Sequence, residues 1–254
     1  MPSKAIVTGA SGGLGREFAQ LLAQAGYDVV LAARSLDKLH ALAAQIGEKF
    51  GVDARPVELD LAKDGSAAAL FAQVPRCDVL VNNAGFANNG TFAQIDPALV
   101  DEELELDVVT LTRLCRLYLP QMMARGDGRI LNVASTAGFL PGPNMAVYYA
   151  AKAYVISFSE ALWEETRKTG ASVTVLCPGA TKTQFAERAK MQTAALFRAS
   201  AADAASVAKA GIEGMMRGKR MVIPGFMNKL TAFCPRISPR ATLLRVSGAL
   251  VKRR

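Results

Sequence analysis

Apolar residues along the chain alternate between short continuous runs and longer stretches with helical spacing. The continuous runs predict seven buried β-strands, at Ala5–Val7, Asp28–Ala33, Ala54–Leu59, Asp78–Val81, Ile130–Val133, Ser172–Cys177 and Met221–Ile223. The helical spacing predicts a helix after most strands, at Leu14–Ala25, Leu36–Ile46 with Ser35 as its N-cap, Ser66–Val74, Pro97–Met123, Met145–Lys168 and Ala202–Met216. Continuous apolar strands joined by helices indicate an α/β fold, in which helices cover both faces of a doubly wound parallel sheet.

Length and composition agree with one such domain. The chain has 254 residues, of which 51% are hydrophobic and 20% charged, so it is long and apolar enough to bury a sizeable core. No apolar run approaches the roughly 18 residues that a membrane-spanning helix needs. We see no linker, internal repeat or low-complexity segment.

The net charge of +8 is concentrated near the C-terminus. Nine basic residues and no acidic one follow Gly218, which leaves 21 basic and 22 acidic residues, a net charge of −1, before that point. In a nucleic-acid-binding fold, the basic face is built into the folded domain itself. A neutral domain with a basic tail therefore disfavours that class of protein.

The cysteines indicate a reducing compartment. Cys77, Cys115, Cys177 and Cys234 are isolated, without a Cys-x-x-Cys pair, and three of them lie in apolar runs. Buried free thiols are typical of cytoplasmic proteins, which is the location we expect. We expect no metal site, because the lone His40 lies in a helical stretch without neighbouring ligands.

A glycine-rich turn from Thr8 to Gly15 connects the first strand to the first helix. Glycines there bring bare backbone N–H groups close to a pyrophosphate, and the helix N-terminus adds partial positive charge. The turn therefore predicts a dinucleotide site.

The end of the second strand favours NADP(H) over NAD. A carboxylate at this point usually binds the ribose hydroxyls of NAD, but here Ala33 is followed by Arg34, whose guanidinium can hold a 2′-phosphate. Asp60 ends the third strand, where it either accepts from the adenine amino group or caps a helix.

Tyr148 and Lys152 lie four residues apart near the start of a long helix and therefore share one face. An ammonium one turn from a phenol is expected to lower the phenol pKa, which makes Tyr148 a candidate general acid and base. Ser135 follows the preceding strand, where it can donate to the same substrate oxygen.

These motifs together resemble the short-chain dehydrogenase/reductase family over at least residues 4–225. The matching motifs are the Gly9, Gly13 and Gly15 turn, Asn82-Asn83-Ala84-Gly85, Ser135 thirteen residues before Tyr148, Tyr148-x-x-x-Lys152, and Pro178 to Thr183. The resemblance implies a single-domain Rossmann fold and hydride transfer to or from a nicotinamide.

The resemblance also implies residue roles. Tyr148 would exchange the substrate proton, Lys152 would lower the Tyr148 pKa and hold the nicotinamide ribose, and Ser135 would orient the carbonyl. The residues implied to contact the cofactor are Gly9, Ser11, Gly13, Leu14, Gly15, Asn82, Ala84, Gly85, Pro178, Gly179, Thr181 and Thr183. Family members usually pair through the helices at about 97–123 and 145–168, so we expect a homodimer or homotetramer.

Asp107 departs from the family pattern, which usually has Asn thirteen residues before a Pro such as Pro120. In the family this position holds a water in a proton relay with the Lys, through a backbone carbonyl that any residue provides. An Asp adds negative charge near Lys152. Our hypothesis is that the relay survives in modified form and hydride transfer is little affected.

Two mainly apolar segments are candidate substrate walls, and they favour a hydrophobic ketone, aldehyde or secondary alcohol. One contains Phe139–Val147, and the other contains Phe185, Met191, Ala194, Ala195, Leu196 and Phe197, which in the family forms a substrate cover. The leading prediction is an NADPH-dependent carbonyl reductase or alcohol dehydrogenase. The alternatives are a 3-oxoacyl-thioester reductase whose basic tail holds an acidic carrier protein, and an NADP-binding redox sensor without catalysis.

We divide the chain into a catalytic segment, 1–225, and a basic amphipathic extension of the same domain, 226–254, beyond the part that carries the chemistry. In the extension Leu243, Val246 and Leu250 recur at helical spacing, with basic side chains around them at Arg240, Arg245, Lys252, Arg253 and Arg254. Packing against the domain or a neighbouring subunit is favoured over docking on a membrane surface, which stays open.

Overall fold

The computed structural model describes residues 3–183 and 202–251, with the side chains of residues 250 and 251 excepted. Some predicted residues lie outside the described part. In the candidate substrate wall they are Phe185, Met191, Ala194, Ala195, Leu196 and Phe197, and in the C-terminal extension they are Lys252, Arg253, Arg254 and the Leu250 side chain.

A seven-stranded, all-parallel sheet in the order β3-β2-β1-β4-β5-β6-β7 forms the centre of the molecule. Its strands are β1 (Lys4–Thr8), β2 (Asp28–Ala33), β3 (Ala54–Glu58), β4 (Val79–Asn82), β5 (Gly128–Val133), β6 (Ala171–Leu176) and β7 (Met221–Val222). This order confirms the predicted doubly wound Rossmann fold. Because β1 lies between β2 and β4, the connections from β1 and from β3 leave in opposite directions and open a crevice at the carboxyl ends of β1 and β4.

Helices cover both faces of the sheet. They are α1 (Gly13–Gln24), α2 (Leu36–Phe50), α3 (Ser66–Gln73), α4 (Pro97–Leu104), α5 (Leu111–Arg125), α6 (Ala146–Thr166), α7 (Ala204–Met216), α8 (Phe226–Phe233) and α9 (Arg240–Val251). Within the described residues, no helix is both long and apolar enough to cross a bilayer.

The predicted helix from Pro97 to Met123 contains a π-helical segment, Glu105–Thr110, between α4 and α5. A π turn holds one more residue than an α turn, so it shifts the side chains that follow it. The spacing of apolar residues is too coarse to reveal a shift of one residue in a single turn. Asp107 lies inside this segment and is buried.

The two faces of the sheet have separate cores, as the alternation of strand side chains requires. On one face Ile6, Leu80 and Ile130 pack with residues of α3, α5 and α6. On the other face Val7 and Leu131 pack with residues of α1, α2 and α7. Three of the four cysteines are buried, and Cys234 is partly exposed; all four are free.

The C-terminal extension packs on the catalytic segment, which corrects the prediction that it lies beyond the chemistry. Ser247 on α9 donates a 2.6 Å hydrogen bond to the carbonyl of Pro141. On α8, Asn228 lies against Gly179, where a Cβ atom would overlap its side chain. On α9, the predicted helix is present, Leu243 is half-buried, Val246 is exposed, and Ser247 is the residue buried against the domain.

Candidate active site

A cavity of about 530 Å³ occupies the crevice at the carboxyl ends of β1 and β4. The predicted site residues that line it are Gly9, Ser11, Gly13, Leu14, Arg34, Asp60, Ala84, Gly85, Ser135, Tyr148, Lys152, Pro178, Gly179, Thr181 and Thr183. Residues that follow six strands, β1 to β6, and residues from two helix starts therefore meet in one cavity, as the parallel topology requires.

The turn after β1 is a cradle of bare backbone. Gly9 has a positive φ of 67°, which a side chain rarely tolerates. Helix α1 begins at Gly13 with no side-chain capping hydrogen bond and no acidic residue in its first turn. Its first N–H groups therefore suit an anionic group, and the turn fits the pyrophosphate of a dinucleotide.

Gly15 does not line the cavity. A Cβ atom there would overlap the carbonyl oxygen of Gly9 and approach Asn83 Nδ2 to 2.7 Å. The predicted contact between Gly15 and a cofactor is therefore not seen. Instead, the absence of a side chain at Gly15 lets α1 pack closely on the glycine-rich turn before it.

Asn82 was predicted to contact the cofactor, but the structure places its side chain in the core. Its Nδ2 donates to Asn132 Oδ1 at 2.9 Å and to Cys115 Sγ at 3.4 Å. Asn82 shares a strand face with Leu80, two residues earlier, and that face packs on α5 and α6. Strand alternation thus directs Asn82 away from the cavity.

The next residue, Asn83, lines the cavity and ties β4 to β1. Its Nδ2 donates to the carbonyl of Thr8 at 2.9 Å, and its backbone N–H donates to Thr8 Oγ1 at 2.9 Å. The Ala84 N–H donates to the same hydroxyl at 3.0 Å. Thr8 and Asn83 together hold the two edges of the crevice at a fixed separation.

Three polar side chains border the cavity after β2: Arg34, Ser35 and Lys38. Ser35 stands at the N-cap position of α2, but its side chain makes no capping hydrogen bond, contrary to the prediction. Its hydroxyl instead borders the cavity beside two exposed cations. Asp60 Oδ1, on the neighbouring strand end, accepts from the Ala62 N–H at 3.1 Å, so the local turn uses one of its oxygens.

Ser135 and Tyr148 form the polar centre of the cavity. Ser135 Oγ accepts from the Ala137 N–H at 3.1 Å and makes a hydrogen bond with Tyr148. Burial raises the pKa of Tyr148 above its usual value of 10.0, the charge of Asp107 raises it further, and the bond with Ser135 lowers it. At neutral pH Tyr148 is therefore a protonated phenol that can give up its proton.

Lys152 pairs with Asp107 rather than with the phenol oxygen. Its Nζ lies 3.1 Å from Asp107 Oδ2, donates to the Val133 carbonyl at 3.4 Å, and lies 5.5 Å from the centre of the Tyr148 ring. The expectation that Lys152 lowers the Tyr148 pKa is not met, because Asp107 offsets the ammonium charge. Asp107 does not line the cavity; burial raises its pKa, and the Lys152 charge opposes that rise.

Glu103, which was not predicted as a site residue, lies four residues before Asp107 and is buried. Its Oε2 accepts from Asn88 Nδ2 at 2.8 Å, and within the described residues its Oε1 has no hydrogen-bond partner. Burial raises the pKa of Glu103 to about 7, against the opposing effect of Asn88. A second carboxyl group therefore titrates close to the Lys152 pair in the physiological range.

Four lining residues were not predicted as site residues: Lys38, Asn83, Thr231 and Ser247. Lys38 lies four residues after Arg34, in the first turn of α2, and Asn83 follows Asn82, so both had a local signal. Thr231 and Ser247 come from the C-terminal extension, and no local pattern predicts that it folds back.

Alanine at Gly15 and at Gly47 should have opposite effects on stability. Both glycines are helical, and alanine favours a helix by up to about 1 kcal/mol. At Gly47 the nearest atom to a new Cβ is 3.9 Å away, so Gly47→Ala should be neutral or stabilising. At Gly15 the overlap with Gly9 should lower the free energy of unfolding by about 1–3 kcal/mol in urea titrations.

The comparison between these two variants removes the effect of helix propensity. If Gly15→Ala were as stable as Gly47→Ala, the close packing of α1 on the turn would be wrong.

Comparisons with known proteins agree with this geometry. Residues 3–194 match the family model for short chain dehydrogenase. The chain is 33% identical over 239 residues to very-long-chain 3-oxoacyl-CoA reductase of Mus musculus, covering 91% of this chain and 75% of that protein. It is 38% identical over 178 residues to ketoacyl reductase HetN of Nostoc sp., covering 68% of this chain and 62% of that protein.

A solved short-chain dehydrogenase from Sphingobium yanoikuyae, in complex with NADPH, has a similar fold. It superposes with a TM-score of 0.83 at 29% identity, covering 95% of this chain and 98% of that one. The matched range spans the glycine-rich turn and Ser135, Tyr148 and Lys152. The chain therefore belongs to the short-chain dehydrogenase/reductase family and is an oxidoreductase.

Proposed function

We propose that this protein is an NADPH-dependent reductase of hydrophobic carbonyl compounds, with Tyr148 as the general acid. The observation that carries the proposal is the hydrogen-bonded pair Ser135 and Tyr148, which lies in the same cavity as the glycine-rich turn. NADPH, when bound, supplies the hydride to the carbonyl carbon.

The chain's own groups act on the carbonyl oxygen. A carbonyl oxygen beside the hydrogen-bonded Ser135 and Tyr148 hydroxyls can accept from both once Ser135 releases its 3.4 Å hydrogen bond to the Pro178 carbonyl, which stabilises the negative charge that develops there. Tyr148 then transfers its proton and the alcohol is formed. Because Tyr148 is protonated at neutral pH, the site is set for carbonyl reduction, and alcohol oxidation requires a higher pH.

Arg34, Ser35 and Lys38 support the choice of NADP(H). Two cations and a hydroxyl at the end of β2 suit the charge and the oxygen atoms of a 2′-phosphate. In NAD enzymes, an acidic side chain at the end of this strand binds the ribose hydroxyls. Here Ala33 and Arg34 occupy that strand end, and neither is acidic.

The other end of the cavity supports a hydrophobic substrate. Its walls include Leu140, Met145 and Tyr149, and among the described lining residues the cations are Arg34, Lys38 and Lys152. None of these three is placed to bind a substrate carboxylate, since two lie at the end of β2 and Lys152 pairs with Asp107.

A 3-oxoacyl thioester is the second candidate substrate, favoured by the names of the two relatives. Its acyl chain suits the apolar walls as well as an aryl or alkyl ketone does.

We retain cytoplasmic location and pairing through α5 and α6 as proposals. The partial exposure of Tyr154 on α6 is compatible with a contact between subunits.

Replacement of Tyr148 by Phe tests the proposed acid. NADPH oxidation should be measured with aryl and alkyl ketones and with 3-oxoacyl thioesters of increasing chain length. Tyr148→Phe should lower kcat by about 100-fold or more with every active substrate, because the proton donor is lost.

Tyr154→Phe is the matched control, since Tyr154 lies on the same helix and its hydroxyl pairs with Thr112 outside the cavity. Retained turnover in Tyr148→Phe would refute the acid role. Absence of turnover by the wild type with every substrate, despite tight NADPH binding, would favour the redox sensor instead.

Reversal of charge at Arg34 tests the cofactor. Arg34→Asp should raise the KM for NADPH by about tenfold or more and lower that for NADH, because the carboxylate repels a 2′-phosphate and accepts from ribose hydroxyls. Arg55→Asp, an equal change on β3 away from the cavity, should alter neither. Unchanged preference in Arg34→Asp would remove Arg34 from the cofactor site.

Asp107→Asn should shift the pH profile of alcohol oxidation to lower pH. Oxidation needs the Tyr148 phenolate, and the Asp107 charge disfavours it. The amide removes that charge and leaves the Lys152 ammonium to favour phenolate, so both effects lower the Tyr148 pKa. Reductive turnover near pH 7 should change less than about tenfold.

Glu105→Gln is the control for this profile, because Glu105 lies in the same π-helical segment but pairs with Arg113. A shift to higher pH in Asp107→Asn, or an increase in reductive turnover by orders of magnitude, would contradict the assigned ion pair.

A further inference from the structure

Helix α8 exposes its large apolar side chains and buries a small one. Phe226 is 79% and Met227 64% exposed, and Leu230 and Phe233 are exposed as well. The buried residue of the helix is Ala232. A helix that contributed to the domain core would have the opposite arrangement.

The exposed face continues beyond α8. Ile237, after the short 3-10 turn Cys234–Arg236, is 73% exposed. Leu244 and Val246 on α9 are exposed as well. We call Phe226, Met227, Leu230, Phe233 and Ile237 the apolar ridge, because these large apolar side chains are all exposed and follow one another along one stretch of the chain.

Exposed basic residues accompany the apolar ridge. They are Lys229, Arg236, Arg240 and Arg245. The last acidic residue of the chain is Glu213, and none of these four cations forms a salt bridge within the described residues. The surface therefore combines apolar insertion groups with uncompensated positive charge.

We infer that α8 and the start of α9 form a docking surface for an anionic phospholipid bilayer. Amphipathic segments with Phe and Leu on one side and Lys or Arg beside them bind at the boundary between headgroups and acyl chains. The basic side chains would meet lipid phosphates while the apolar ridge enters the acyl region.

Charge argues against the same face binding a second copy of this chain. A two-fold interface would bring identical basic sets together with no acidic group on the patch to pair with them. In protein–protein interfaces, large apolar anchor residues fill matching pockets on the partner, whereas a fluid bilayer needs no such pockets.

The helices that carry the docking surface also border the cavity, which gives the surface a functional consequence. Thr231 on α8 and Ser247 on α9 line the cavity. If the proposed reductase function holds, the substrate is a carbonyl compound with a long acyl chain that is dissolved in the bilayer. This second step rests on the proposed function, but membrane docking itself does not.

Sedimentation with vesicles tests the docking surface without cofactor or substrate. The full-length protein should sediment with vesicles that contain about 30 mol % phosphatidylglycerol in phosphatidylcholine, and at least about tenfold less with phosphatidylcholine alone. Binding should weaken as NaCl is raised from about 0.05 to 0.5 M, because salt screens the basic residues.

Two double variants separate the two contributions. Phe226→Ser with Phe233→Ser removes apolar insertion, and Lys229→Glu with Arg236→Glu reverses charge; each should weaken partitioning by about tenfold or more. Phe92→Ser and Lys168→Glu are the controls, because both residues are exposed elsewhere on the molecule and should leave binding unchanged.

A fluorescence variant gives a readout that does not depend on loss of binding. The indole emission of Phe226→Trp should shift to shorter wavelength with phosphatidylglycerol vesicles, relative to the wild type, whose one tryptophan is Trp163. This reports insertion of the ridge directly.

Three results would overturn the inference. They are equal binding to both vesicle types, no binding by the wild type, and double variants that change the oligomeric state in sedimentation velocity without changing vesicle binding. The last would make the face an interface between copies of this chain. Reductase activity with failed vesicle binding would remove the docking surface and leave the proposed function intact.

Discussion

The placement of the buried Lys152 ammonium is the constraint on which the site depends. Its Nζ is held between Asp107 Oδ2 at 3.1 Å and the Val133 carbonyl at 3.4 Å, with almost no exposure to solvent. Removal of either partner of such a buried pair typically costs about 3–5 kcal/mol, because the other charge is left uncompensated. Strand β5, the π-helical segment and α6 must therefore approach one another closely.

Gly85 makes that approach possible. A Cβ atom at this position would lie 2.7 Å from Asp107 Oδ1 and 3.3 Å from Lys152 Nζ. The glycine of the loop after β4 therefore leaves room for the ion pair and also borders the cavity. Because Lys152 pairs with Asp107, the carboxylate offsets the ammonium charge beside Tyr148.

The sequence predicted the fold and most of the cavity because both follow from local patterns. Continuous apolar strands require helices on both faces, and the carboxyl ends of parallel strands bring Ser135, Tyr148 and the glycine-rich turn to one edge. The roles of Asn82 and Gly15 were wrong, because they depend on which side of β4 packs on α5 and how closely α1 meets Gly9. Neither of these packing contacts can be derived from the spacing of residues along the chain.

Two features have no signal in the local pattern. The π turn at Glu105–Thr110 adds one residue to a turn, which apolar periodicity does not resolve. The return of α8 and α9 over the cavity depends on long-range contacts such as Ser247 with Pro141. The basic charge that set the tail apart thus belongs to an element that also forms part of the cavity wall.

The protonation state of Tyr148 can be measured directly by carbon-13 NMR of protein labelled at the tyrosine Cζ atoms. The Tyr148 signal is assigned by its loss in Tyr148→Phe, and its shift is followed as pH is raised. We predict that Tyr148 stays protonated to at least pH 10, since burial and Asp107 both raise its pKa. A titration of that signal between pH 6 and about 8, as expected for a phenol activated by an unpaired lysine, would contradict the account.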